Sequence, residues 1–173
     1  MLKDINKILF ATNLTKNCIP AFDAAAIIAL RFNAKIILLH VIEKAPDYIS
    51  TRLEGFFGKA RWAQMMENYE NEARQTLIGK KSSSKLIQKA LEKLCTEAGI
   101  DDTTRGYHSR EVVIAEGEIV DIIIETSKKQ TCDLIILGGH ESLIATNTLG
   151  PTIKSVLKSS TIPVMVVPHN SDM

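Results

Sequence analysis

The chain has 173 residues, the size of a single core, and the sequence predicts one domain over residues 1–173. With 45% hydrophobic and 24% charged residues it has a globular make-up, neither disordered nor fibrous, and its formal charge of +1 offers no electrostatic footprint for nucleic acid. No apolar run approaches the roughly 20 residues of a membrane span, and charges interrupt the N-terminal segment where a signal peptide needs its apolar core, so a cytoplasmic address is expected.

In chain order, Lys7 to Thr12 is a short apolar run of the kind that forms a buried strand. Asn17 and Pro20 open a helix in which Phe22, Ala25, Ala26, Ala29 and Phe32 recur at helical spacing, closed by Asn33. Ala34 to Ile42 is a second, β-branched strand. Glu43 to Lys59, with Pro46, Gly55, Gly58 and the pair Phe56-Phe57, shows no sustained period and is expected to be an irregular connection. Helical stripes follow at Ala63, Met66, Tyr69, Ala73 and Leu77, and again at Leu86, Ala90, Leu94 and Ala98. Gly79 and Ser82 to Ser84 between them predict a kink or two helices, and Lys80, Lys81 and Lys85 a solvated break.

A strand at Glu111 to Ile114, a helix from Glu118 to Ser127 and a strand from Cys132 to Leu137 come next. A polar loop follows Gly138-Gly139, then a helix carrying Ile153, Val156 and Leu157, and a last strand from Pro163 to Pro168. Such alternation requires parallel pairing through crossovers, which makes the fold an α/β, open, doubly wound sheet. Ligands of these sheets bind at the carboxyl ends of the strands, which directs attention to the turns at Thr12 to Lys16, after Ile42, and from Gly138 to Pro151.

Several chemistries are excluded at these turns. The first turn, Ala11-Thr12-Asn13-Leu14-Thr15, lacks the acidic cluster of a phosphoacceptor domain and the glycines of a phosphate loop or dinucleotide fingerprint, and no G-x-S-x-G elbow exists. The four histidines show no metal-ligand spacing, and Cys18, Cys95 and Cys132 are too far apart for a C-x-x-C pair and read as reduced, mostly buried thiols.

The segments Lys7 to Thr12, Leu39-His40-Val41, Glu116-Gly117-Glu118-Ile119, Cys132 to Gly138, Leu149-Gly150-Pro151-Thr152 and Ser160 to Pro168, in this order and spacing, resemble the universal stress protein family almost end to end. The resemblance implies a five-stranded parallel sheet of order 3-2-1-4-5 with helices on both faces, and a homodimer paired through the last strand at Val164, Met165, Val166 and Val167. It also implies a nucleotide crevice between the first and fourth strands, where AMP or ATP with Mg²⁺ is the cofactor to expect. The family's ATP-binding members carry a loop of the form G-x2-G-x9-G-[S/T]. In this chain Gly138 matches the first glycine, Glu141 stands at the second, eight residues then precede Gly150, and Pro151 replaces the hydroxyl residue. Asn13 stands where family members often carry an acid.

A carboxylate facing phosphate and a proline lacking both hydroxyl and N–H weaken triphosphate binding, whereas adenine recognition relies on backbone near Val41, on Ala11 and Leu137, and on Asn13. The candidate site is therefore Ala11, Thr12, Asn13, Val41, Leu137, Gly138, Gly139, Glu141, Gly150, Pro151 and Thr152. Each has a plainer alternative: the glycines turn the chain, and Thr12 and Asn13 lead into a helix. His40 is expected to be a satisfied buried histidine, and Phe56 and Phe57 to pack at the sheet edge in preference to forming a lid or partner contact. The expected function is that of a non-enzymatic, homodimeric stress-response protein with weak or altered adenine-nucleotide binding. One alternative is a genuine ATP or AMP binder in which Gly139, Ser142, Thr148 or Thr152 supply the missing donors. Another is a nucleotide hydrolase using His140 and Glu141, for which no orienting third residue is evident.

Overall fold

The computed structural model describes residues 4–15, 18–42, 49–65, 67, 83–97, 110–139 and 149–169. The first strand, β1 (Lys7–Thr12), leads to α1 (Ile19–Phe32), β2 (Lys35–Ile42) and α2 (Ile49–Phe57). A helix described at residues 59–65 and 67, α3, precedes α4 (Ser83–Glu97), β3 (Arg110–Glu116) and α5 (Ile119–Lys129). The chain then forms β4 (Leu134–Gly138), α6 (Pro151–Ser159) and β5 (Val164–Val167). All strand pairs are parallel, in the order β3-β2-β1-β4-β5. This is the expected doubly wound α/β sheet.

Period-2 alternation sorts the sheet into two packed layers. Ile8 and Phe10 of β1, Ile36 and Leu38 of β2, and Leu134 and Ile136 of β4 face α1, α2, α3 and α4. Leu9 and Ala11, Ile37, Leu39 and Val41, and Ile135 and Leu137 face α5 and α6. Alanines at 21, 25, 26 and 29 let α1 lie close against the first layer, and Asn33, left-handed at φ 53°, closes it with its N–H on the Ala29 carbonyl. At the amino ends of the strands, the Asp133 carboxylate accepts the N–H groups of Asn6 and Lys7, and Lys7 Nζ donates to the Gln130 carbonyl, fastening β1 to β4.

Two expectations need correction. Residues 49–57, read as irregular, are helical, because Leu53 and Phe56 at i, i+3 bury one face and Gly58 at φ +85° ends the helix with its N–H on the Glu54 carbonyl. The glycines conceal this period when the residues are read in a row. In α3 the buried residue is Trp62, and Ala63 is exposed, since the larger apolar side chain takes the inward face. Along α4 the buried residues include Ile87, Ala90, Leu91 and Cys95; Ala90 is buried as expected, and the side chains of Leu86 and Leu94 lie outside those described. The interval proposed to kink, together with Met66, Tyr69, Ala73, Leu77 and Ala98, lies outside the described residues.

Candidate functional site

β1 and β4 are neighbours whose outgoing chains part company: α1 crosses one face of the sheet and α6 the other. A crevice opens at their carboxyl ends for this topological reason alone. It holds a cavity of about 370 Å³. The floor is the sheet, through Ala11, Leu39, Val41 and Leu137, and one wall is α5, through Ile119 and Ile123. The first turn of α6, from Gly150 to Ile153, closes the far side, and Thr12, Asn13, Thr15 and Cys18 form the rim toward α1.

The polar atoms of the rim are largely committed to the fold. Thr12 Oγ1 accepts the Leu14 N–H at 3.0 Å, which holds Leu14 in a left-handed turn at φ 59°. Asn13 Oδ1 accepts from the Thr15 N–H, the Thr15 hydroxyl at 2.7 Å and the Cys18 thiol at 3.1 Å. The Asn13 oxygen thus organises the approach to α1, the plainer of the two roles considered for this residue. His40, 3% exposed, places Nδ1 2.9 Å from the Thr12 carbonyl, so that nitrogen carries the proton and the ring steadies the end of β1 as a buried, satisfied histidine.

At β4, Gly138 pairs with Val167, and the Gly139 N–H donates to the Val167 carbonyl at 2.7 Å. Gly139 lines the cavity as a wall while its amide completes the β4–β5 ladder, which removes it from the set of re-registered phosphate donors. Gly150 is the N-cap of α6 in an extended conformation, Pro151 opens the helix, and the Lys154 N–H returns to the Gly150 carbonyl. In such a first turn the N–H groups of Thr152 and Ile153 have no acceptor inside the helix. No charged side chain lines the cavity among the described residues, and none of these residues form a cluster able to hold a metal ion.

The cavity brings together Ala11, Thr12, Asn13, Val41, Leu137, Gly138, Gly139, Gly150, Pro151 and Thr152 from the expected set. Glu141, with His140, Ser142 and Thr148, lies outside the described residues. Sequence reasoning missed Leu39, Thr15, Cys18, Ile119, Ile123 and Ile153. Leu39 was accessible from strand alternation with Val41, and Ile119 and Ile123 from their i, i+4 spacing just after β3. Phe56 packs edge-on to Phe57 at 4.9 Å in the opposite layer, beneath α2, so a lid over this cavity is excluded for it.

Comparison with known proteins gives a concordant assignment. Universal stress protein G of Salmonella typhimurium (strain LT2) is 25% identical over 131 residues, 75% of this chain and 77% of that protein. The crystal structure of a universal stress protein in complex with cAMP covers 97% of this chain and 100% of its own, at TM-score 0.57 and 19% identity. A universal stress protein family protein from Arabidopsis thaliana with AMP bound covers 96% and 93%, at TM-score 0.56 and 20% identity. At these identities the two structures show a shared fold. The family model of the universal stress proteins matches residues 4–168, and the chain belongs to that family.

Proposed function

We propose that this protein binds an adenine nucleotide in the β1/β4 crevice and acts as a regulatory binding protein, without turning the nucleotide over. The observation that carries this reading is the lining of the cavity: an apolar floor at Ala11, Val41 and Leu137 and an apolar α5 wall at Ile119 and Ile123, with hydroxyl and amide groups from Thr12, Asn13, Thr15 and Thr152 among the described residues. Such a lining suits the faces of a planar base, and the cAMP- and AMP-complexed relatives share the fold. Thermal unfolding with millimolar adenosine, AMP or ATP tests it, since a ligand at a hundredfold excess over Kd stabilises the native state by about 2.7 kcal/mol. An unchanged Tm with all three refutes nucleotide binding. Phosphate release from ATP is expected at the background rate, and release above background abolished by Glu141→Ala would establish a hydrolase instead.

The same proposal places a homodimer at β5 and the protein in the cytoplasm. Two features support it: β5 is an edge of the sheet with Met165 39% exposed, and the three cysteines are free and buried. Sedimentation of Met165→Lys should show a shift toward monomer. A dimer of unaltered affinity would remove β5 from consideration.

A further inference from the structure

Resting on that adenine reading, we infer that His40, which does not line the cavity, is a positioning residue for its ligand: from β2 it holds the peptide between Thr12 and Asn13 in the orientation that shapes the rim. His40 stands between two floor residues, Leu39 and Val41. Side chains alternate along a strand, so its ring points to the opposite layer, the side of Ile36 and Leu38. It is 3% exposed there, and a buried imidazole is costly unless its polar atoms are bonded. The bond it makes crosses to the residue opposite it in register, with Nδ1 2.9 Å from the carbonyl oxygen of Thr12. A carbonyl oxygen can only accept, so Nδ1 donates.

The consequence for the crevice comes from the planarity of the peptide. In a trans peptide the carbonyl and the following N–H point in opposite directions, so a Thr12 carbonyl held toward β2 turns the Asn13 N–H toward β4. The β1–β4 pairing ends one residue earlier, at Ala11 and Leu137, so this N–H faces the gap where the two strands separate. Beyond that peptide, Thr12 Oγ1 accepts the Leu14 N–H, Asn13 Oδ1 accepts from Thr15 and Cys18, and the Cys18 N–H donates to the Thr15 carbonyl. These bonds make the turn one unit, and the His40 bond ties that unit to the neighbouring strand. Thr12, Asn13, Thr15 and Cys18 all border the cavity, so the orientation of the unit decides where the polar rim meets a ligand. A rim set in place before binding has less freedom to lose when the ligand arrives.

The experiment is calorimetric titration of the full chain with AMP and adenosine, on the wild type, His40→Leu, His40→Asn and Ile87→Val. Leucine fills the buried site without a donor, whereas asparagine carries an N–H as many bonds from the backbone as Nδ1. Ile87, 0% exposed in the same layer and absent from the cavity wall, supplies a variant that loses stability without altering the rim. Urea unfolding verifies that each protein is folded under the conditions of titration. His40→Leu should weaken both ligands by about three- to tenfold, His40→Asn should bind within about twofold of the wild type, and Ile87→Val should keep wild-type affinity at lower stability. Wild-type affinity in His40→Leu overturns the inference and leaves the adenine reading intact. So does an asparagine variant no tighter than leucine, because the bond to Thr12 is then irrelevant, or an equal loss in Ile87→Val, because general loosening then explains the effect. Failure of the wild type to bind either ligand overturns the adenine reading, and this inference with it.

Discussion

Replacing Thr12 with valine keeps the shape of the side chain and deletes one acceptor, which isolates the bond that holds the turn after β1. In the native protein the Leu14 N–H is bonded to Thr12 Oγ1, and Leu14 itself is 1% exposed in a left-handed conformation that costs a non-glycine residue about 1–2 kcal/mol. That strain is sustained by the burial of the Leu14 side chain and by this hydrogen bond. Thr12→Val strands a buried N–H donor, a loss of about 1–3 kcal/mol, which for a chain of this size lowers Tm by roughly 3–10 °C. Thr12→Ser keeps the acceptor and loses a methyl group, worth about 0.8 kcal/mol. Urea unfolding of the three proteins should give the order wild type, Ser, Val at an unchanged m-value. A valine variant within about 0.5 kcal/mol of wild type, or one more stable than serine, would refute the role assigned to the hydroxyl. Because Thr12 and Thr15 border the crevice, the valine variant should also bind AMP more weakly, in step with the loosened rim.

Gly58 and Gly117 both have positive φ, at +85° and +147°, but a Cβ meets nothing within 4 Å at Gly58 and comes within 3.2 Å of Ile122 Cγ1 at Gly117. Gly58→Ala should therefore cost about 1 kcal/mol from backbone strain, and Gly117→Ala about 2–3 kcal/mol, with equal losses in chemical denaturation counting against this account. Among the three thiols Cys18 alone lines the crevice, so bound AMP should slow its alkylation and leave Cys95 unaffected. Burial pushes the Cys132 thiol up to about 11 against the opposing pull of Lys7, so it should resist alkylation at pH 8 in the native state. Its folded value lies above the unfolded one, so its contribution to stability is complete below the ordinary thiol range and is lost as pH rises through about 11. The side-chain bond from Lys35, 2.6 Å away, holds the Glu111 carboxyl below the usual carboxylate range despite partial burial. That contribution is present above about pH 4 and fades as pH falls through the lowered value; with both groups about a third exposed it is about 0.5 kcal/mol, and Lys35→Met should remove it from the acid limb of a stability–pH curve.

Local physics made most of the fold legible in the sequence. Each strand is a short run of apolar residues with little choice but burial, and the prediction for β1 matches its ends, Lys7 and Thr12. Asn33 signalled the end of α1 because asparagine tolerates the left-handed conformation found there. The failures have equally local causes. Gly55 and Gly58 broke the apparent period of Leu53, Phe56 and Trp62, although Gly55 lies within α2 and only Gly58 needs a positive φ. At the crevice, the residues at strand ends were found because doubly wound topology fixes where strands finish. Ile119 and Ile123 share a face of α5 by their i, i+4 spacing, but that this face meets the crevice, and that Ile153 joins it, depends on how α5 and α6 pack over the sheet.

What keeps the crevice open follows from the same packing. The layer beneath α1 is filled by large side chains, with Phe10 and Phe22 5.5 Å apart between ring centroids, whereas the crevice at the carboxyl ends of β1 and β4 is walled in part by the small residues Ala11, Gly138, Gly139 and Gly150. Gly150 is informative here. Its φ of −58° is available to any residue, and a Cβ placed on it would meet nothing within 4 Å among the described residues, so neither backbone geometry nor crowding by these residues demands a glycine at this position. The absent side chain serves the space beside it. A folded chain with no ligand to admit would gain stability by filling this volume, so the small residues of the wall support the binding role proposed for the crevice.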